Sequence, residues 1–268
     1  LGTALVDMYA KCGMLEKAQQ VLEDLNVRNE ATWNSLIAGY AEQGQCHNAL
    51  NCFELMQRER HRPSIITYTC ILKACGCVGD VDKGKQIHDE ISSKGLLEKD
   101  IILGNALVDM YAKCGFLVKA QEVLEELHFQ DVISWNALIT GYSQQGQGDK
   151  ALNCFNQMQK EGFSPNEVTF ICILSTCGKI GAIEKGKQIH LEIVSYSWLE
   201  KDSVLGNTLV DMYAKCGFLA EAQQVLDNIP VRTTVTWNAL VRGYSQLRKW
   251  KEALNCLNEM QSEGLSPD

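Results

Sequence analysis

The octapeptide VDMYAKCG at residues 6–13 returns at 108–115 and again at 210–217, spaced by 102 residues each time. A second signature, Trp-Asn followed by Leu and later Gly-Tyr, starts at Trp33-Asn34, Trp135-Asn136 and Trp237-Asn238. A third, GKQIH, occupies 84–88 and 186–190. Such phase-locked recurrence limits the fold more than any composition does. A chain of ~30–40-residue units stacks neighbour on neighbour instead of closing around one core.

Aligning the signatures gives units of 31, 35 and 36 residues in cyclic order, whose sum is the 102-residue period. The boundaries are 1–29 (two residues short), 30–64, 65–100, 101–131, 132–166, 167–202, 203–233 and 234–268, read as one uninterrupted array. Within 132–166, Trp135, Leu138, Ile139 and Tyr142 fall at i, i+3, i+4 and i+7, one face of a helix. Gly146 and Gly148 mark a turn. Ala151, Leu152, Phe155 and Met158 then form the stripe of a second helix, stopped by Gly162 and Pro165. Gly13, Gly115 and Gly217 mark the equivalent turn of the 31-residue units. The pattern predicts an all-α superhelix of paired antiparallel helices.

Ten of the twelve cysteines sit at equivalent positions, such as Cys12, Cys114 and Cys216 or Cys52, Cys154 and Cys256. Equivalent positions lie several helix diameters of ~10 Å apart, beyond the ~4.4–6.8 Å between Cα atoms that a disulfide spans. These thiols are expected to be reduced, small apolar packing residues in a reducing compartment. No apolar run reaches membrane-spanning length, and neither a signal peptide nor a transit-like leader precedes the first unit. The array is expected to be a fragment of a longer protein, entering mid-unit at Leu1 and leaving at a unit end, Asp268. The formal charge of −8 opposes simple polyanion binding, since phosphate neutralisation normally takes a basic face. A solenoid can segregate its charges, with Glu122, Glu125 and Glu126 on outer helices and lysines elsewhere.

Enzymatic readings find little support. His88-Asp89-Glu90 and His190-Leu191-Glu192 match the His-x-Glu half of a zinc deaminase signature. The Pro-Cys-x-x-Cys half is nowhere in the chain, and both triplets fall inside repeating second helices. Cys70 with Cys75, and Cys172 with Cys177, lie on different helical faces with no histidine to complete a tetrahedral set. Cys75-Gly76-Cys77 has no counterpart, Lys179 standing at the matching place. No Gly-rich phosphate loop or nucleophile elbow occurs. No catalytic residue, metal, cofactor or small-molecule substrate is expected.

Units of 31, 35 and 36 residues carrying WNxLIxGY, LVDMYAKCG and GKQIH resemble the pentatricopeptide repeat family over the whole chain, and in particular its PLS subclass, where standard (P), long (L) and short (S) motifs alternate. The constant 34-residue tetratricopeptide pattern is not found. The boundaries then read S (1–29), P (30–64), L (65–100), S (101–131), P (132–166), L (167–202), S (203–233) and P (234–268). The resemblance implies a right-handed α-solenoid that binds single-stranded RNA at about one base per repeat. It implies the site-recognition role of a C-to-U editing factor in mitochondrion or chloroplast, with conversion supplied by a C-terminal deaminase-like extension or a partner. It also implies an alternative: a scaffold that holds accessory editing-factor proteins, a reading the acidic charge favours.

In the family the fifth and last residues of each unit meet one base on the inner surface. Asn34, Asn105, Asn136, Asn207 and Asn238 occupy the fifth position and suit a pyrimidine edge. A last-position Asp accepts from uracil N3–H, directly or through water, so Asn105 with Asp131 and Asn238 with Asp268 imply U. Asn34 with Ser64 implies C, and Asn136 with Asn166 implies C with some tolerance of U. Thr3 with Asn29 is the adenine-type pair and Thr69 with Asp100 a weak guanine-type pair. Asn207 with Thr233 specifies only a pyrimidine, and Ile171 with Asp202 leaves its base unread. The implied target, 5′ to 3′, is A, C, G, U, C or U, any, C or U, U. The asparagines have a plainer role open to them, capping first helices.

Second-position Ile66, Ile102, Ile133, Val168, Val204 and Val235, with Ala31 a weaker case, are the family's base-sandwiching residues or else ordinary packing residues. Lys11, Lys113 and Lys215 stand where the family approaches phosphate, and a cation near a helix C-terminus is also favourable on its own account.

Overall fold

The computed structural model describes residues 2–98, 100–196, 198 and 203–266. These contain sixteen α-helices and no strand, two helices to each unit. They are α1 (Gly2–Lys11), α2 (Leu15–Asp24), α3 (Glu30–Glu42), α4 (Cys46–Arg58), α5 (Ile65–Val78), α6 (Val81–Ser93), α7 (Ile101–Lys113) and α8 (Leu117–Glu126). There follow α9 (Val132–Gln144), α10 (Gly148–Lys160), α11 (Glu167–Ile180), α12 (Ile183–Ser195), α13 (Ser203–Lys215), α14 (Leu219–Asn228), α15 (Thr234–Gln246) and α16 (Trp250–Ser262). The tandem helical-hairpin fold expected from the periodicity is the one observed. The helices gather into two compact blocks, 1–141 and 142–268.

Within each block first helices pack on their own second helices and on the first helix of the next unit, as in α1–α3–α5–α7 and α11–α13–α15. The first helix is therefore buried on two sides. Tyr68, Ile71, Leu72, Ala74 and Cys75 of α5 are fully buried, as are Phe170, Ile173, Leu174 and Cys177 of α11. Each large apolar side chain so covered contributes roughly 1.5–3 kcal/mol. Second helices bury one stripe only, such as Ala49, Cys52, Phe53 and Met56 on α4. The short hairpins turn on Gly13, Gly115 and Gly217, whose φ values of 73°, 86° and 82° favour a residue without Cβ.

The signatures interlock. In the first block a Cβ on Gly84 of GKQIH would lie 2.5 Å from Sδ of Met110 in VDMYAKCG, and His88 Nδ1 pairs with the Tyr111 hydroxyl at 3.0 Å. The second block repeats the joint: a Cβ on Gly186 would lie 2.6 Å from Met212 Sδ, and His190 Nδ1 meets the Tyr213 hydroxyl at 2.9 Å. The His-x-Glu triplets thus belong to packing joints. Burial holds both imidazoles below the ordinary histidine range and pushes the Tyr111 hydroxyl up to about 12. The Gly of each Gly-Tyr seats the preceding short unit: a Cβ on Gly39 would lie 2.9 Å from Ala10 Cβ, and one on Gly243 3.1 Å from Ala214 Cβ.

All twelve cysteines are free. Burial pushes Cys52, Cys75 and Cys177 up to about 12, as expected of packing thiols. Cys12 departs from its equivalents and is exposed. Cys114 Sγ–H donates to the Cys75 carbonyl of the preceding unit.

Candidate nucleic-acid interface

Where the unit end is described and a helix follows it, the last residue of the unit caps the next unit's first helix. Asn29, Ser64, Asp100, Asn166 and Thr233 accept from the backbone N–H three residues on, and Asp131 Oδ1 accepts from Ile133 and Ser134 N–H at 2.8 and 3.1 Å. Capping, the plainer role open to the fifth-position asparagines, is carried by these residues instead. The asparagines sit a turn inside the preceding first helix. Because successive first helices lie side by side within a block, a cap can come beside the fifth residue of its own unit.

Asn34 Nδ2 donates to Ser64 Oγ at 3.0 Å, Asn105 Nδ2 to Asp131 Oδ2 at 3.0 Å, and Asn29 Nδ2 to Thr3 Oγ1 at 3.4 Å. Three of the expected couples are thus joined directly. Asn207 is joined to its cap through Thr236, whose hydroxyl donates to Asn207 Oδ1 at 2.7 Å and lies 3.0 Å from Thr233 Oγ1. Thr69 and Asp100 are not brought together: Thr69 Oγ1 turns to its own helix at the Ile65 carbonyl, while the carboxylate of Asp100 caps α7. Half-buried Asn136 lies in the first block and exposed Asn166 in the second. Asp202 and Asp268 lie outside the described residues.

In the second block a cleft of about 470 Å³ gathers Ile171, Asn207 and Asn238 with Val204, Val235 and Lys215. Three fifth-position residues, two second-position residues and a lysine thereby share one concavity. Second-position side chains stand out of the core throughout: Ile66, Ile102, Ile133, Val168, Val204 and Val235 are 53–64% exposed, and Ala31 is also exposed. Helix packing does not account for them.

The lysines are already partnered. Lys11 Nζ lies 2.8 Å from Asp7 and Lys113 Nζ 2.6 Å from Asp109, with Lys215 and Asp211 paired alike. The hydrogen bond to Lys11 holds the Asp7 carboxyl below the usual range. Exposed i,i+4 pairs of this kind contribute ~0.3–0.5 kcal/mol, so a phosphate can compete for the cation. The Asp-x-x-x-Lys spacing inside VDMYAKCG carried that signal.

Sequence reasoning also missed the third-position hydroxyls. Thr32, Thr67, Ser134, Thr169 and Thr236 are at most 1% exposed and complete the caps, Thr67 and Thr236 reaching on to the asparagines. Their signal was the cap-x-x-Thr/Ser spacing of a capping box. Among the described residues no cluster of His, Cys, Asp or Glu is arranged to hold a metal, and no helix is long and apolar enough to cross a membrane.

Tandem helical hairpins with polar couples at several junctions and exposed branched side chains define a helical-repeat scaffold. The chain belongs to the pentatricopeptide repeat family. The PPR repeat family model matches residues 28–77, 130–179 and 232–268, and the PPR repeat model matches 3–29, 66–96, 105–131 and 207–232. A chloroplastic pentatricopeptide repeat-containing protein of Arabidopsis thaliana is 37% identical over 268 residues, all of this chain and 43% of the relative. A mitochondrial one from the same plant is 35% identical over 267 residues, 100% of this chain and 26% of the relative. The chain thus spans less than half the length of these relatives. The crystal structure of maize PPR10 superposes with a TM-score of 0.79 at 23% identity, covering 100% of this chain and 39% of that one. The structure of PPR10 with an 18-nt psaJ RNA element gives 0.80 at 22%, covering 100% and 40%.

Proposed function

We propose that the chain is a sequence-selective single-stranded RNA-binding module in which each unit reads about one base through its fifth and last residues. The observation that carries this reading is the cleft where Ile171, Asn207 and Asn238 converge with Val204, Val235 and Lys215. Amides suited to a base edge, branched side chains suited to a base face and a cation suited to phosphate are the three groups that a nucleotide needs. Couples such as Asn34–Ser64 and Asn105–Asp131 supply the same polar chemistry in the first block, and PPR10 is a fold relative crystallised with RNA. The alternating unit lengths favour the PLS subclass and an editing-site recognition role, and the names of the relatives favour a chloroplast or mitochondrion.

A protein-binding role alongside this one is supported by α12 and its C-cap, Tyr196. Leu191, Val194 and Tyr196 there are 72%, 51% and 48% exposed, where the first L unit carries Asp89, Ser92 and Lys94.

The test is equilibrium binding of the whole chain to an RNA bearing A-C-G-U-C-A-C-U, against one in which both U positions are A. Discrimination of ~1–3 kcal/mol per well-read base gives at least a tenfold preference for the first RNA. Equal affinity for the two sinks the reading.

A further inference from the structure

We infer that the third-position hydroxyl of the following unit selects which group of a fifth-position asparagine is left unpaired for a base, and that Ser134 makes unit 101–131 the reader that requires an N–H donor. This rests on the base-reading role proposed above and adds a specificity determinant outside the fifth and last positions.

Two amides can be compared at like junctions. Asn34 and Asn105 both donate Nδ2–H to the cap of the next helix, Ser64 or Asp131, at 3.0 Å. An ionised carboxylate only accepts, so Nδ2 must be the atom that faces Asp131. The amides therefore point the same way, and the difference lies at Oδ1. Asn34 Oδ1 accepts from the Thr67 hydroxyl, and Asn207 Oδ1 accepts likewise from Thr236 at 2.7 Å. Asn105 Oδ1 has no partner, and the side chain is only 7% exposed.

The cause is the hydroxyl of Ser134. It donates to the Asp131 carbonyl at 2.9 Å and accepts the Asp131 N–H at 3.2 Å, which spends it on the backbone. Thr32 shows when a threonine does the same: its hydroxyl goes to the Asn29 carbonyl at 2.7 Å, where the preceding fifth residue is Thr3 and offers no amide. Given an amide, Thr67 and Thr236 turn to it. Serine lacks the methyl that restricts χ1 and keeps its backbone bond.

The functional consequence is a division of labour. Asn34 and Asn207 have their acceptor occupied and offer N–H to a base, which suits pyrimidine carbonyl or ring nitrogen acceptors. Asn105 keeps an unpaired carbonyl, buried beside the Asp131 carboxylate, and buried acceptors without a donor are uncommon in native proteins. Two acceptors together match the ring N3–H of uracil.

The test measures affinity of the unmodified chain, Ser134→Thr and Thr67→Ser for RNAs carrying U or N3-methyluridine at the fourth base, with thermal unfolding of each variant. Both substitutions install a residue already found at the same position of another unit. The unmodified chain should favour U over N3-methyluridine by about fivefold, one hydrogen bond's worth. Ser134→Thr should abolish most of that gap, and Thr67→Ser should leave it unchanged at the fourth base. A gap unaltered by a folded Ser134→Thr overturns the inference and leaves base reading intact. If Ser134→Thr does not fold, Thr67→Ser carries the test at the second base, where it should create a preference for U over N3-methyluridine; its absence overturns the inference. No discrimination among bases by the unmodified chain overturns the base-reading role itself.

Discussion

Replacing Asp131 by asparagine probes the couple at Asn105 with little damage to the fold. Asp131 Oδ1 caps α9 through Ile133 and Ser134 N–H, and asparagine caps about as well as aspartate. What is lost is a negative charge at a helix N-terminus, ~0.3–1 kcal/mol. The second oxygen fares differently. Asp131 Oδ2 accepts Asn105 Nδ2–H, and in Asp131→Asn a side chain that keeps its oxygen on the cap would point its NH₂ at that donor. Two donors cannot face each other, so the Asn105 amide turns over, accepts from the introduced NH₂ and places Nδ2–H where the unpaired Oδ1 stood. Uracil N3–H then loses its acceptors and cytosine N3 gains a donor. At ~1–2 kcal/mol for the exchanged contact, the U-to-C affinity ratio at the fourth base should fall by about 5- to 30-fold. Fluorescence anisotropy with two RNAs differing only at that base, at one fixed salt concentration, measures the ratio. An unchanged ratio in a variant that melts within a few degrees of the parent refutes the reasoning.

Asp211→Asn should release Lys215 from its ion pair into the cleft it lines; RNA affinity at low salt should rise about twofold to fivefold and depend more steeply on salt, read from binding across a salt series. His88 and His190 have folded-state pKa values held below the ordinary 6.5 by burial. The unfolded chain therefore takes up protons first, so stability is full above about pH 6.5 and declines as pH falls below it. Urea midpoints at pH 7.5 and 5.5 should separate for the parent and draw together when both histidines are replaced by Phe.

The fold was legible because the apolar stripes and turn glycines repeat: Trp135, Leu138, Ile139 and Tyr142 were placed on a buried face by spacing alone, and all four are buried. The loudest letters proved to be packing letters. GKQIH and VDMYAKCG recur because Gly84 must clear Met110 and His88 must reach Tyr111, constraints that tolerate little substitution. The candidate readers vary between units and came into view only through the family resemblance. Two features were hidden for physical reasons. A threonine hydroxyl in a capping box has alternative acceptors, and nothing in a linear pattern tells that Thr67 reaches an amide while Ser134 returns to the backbone. The failure of Thr69 to meet Asp100 has the same origin, a hydroxyl choosing the nearest carbonyl.

The outward-standing Ile66, Ile102, Ile133, Val168, Val204 and Val235 make the unliganded protein adhesive, since apolar area left facing water is driven to find any cover, including another copy. Mutual repulsion between molecules carrying a net −8 works against that encounter at long range. The net acidity is then a colloidal safeguard for these exposed apolar side chains. Raising ionic strength, or exchanging surface glutamates for glutamine, removes the safeguard and brings self-association at concentrations where the parent remains dispersed.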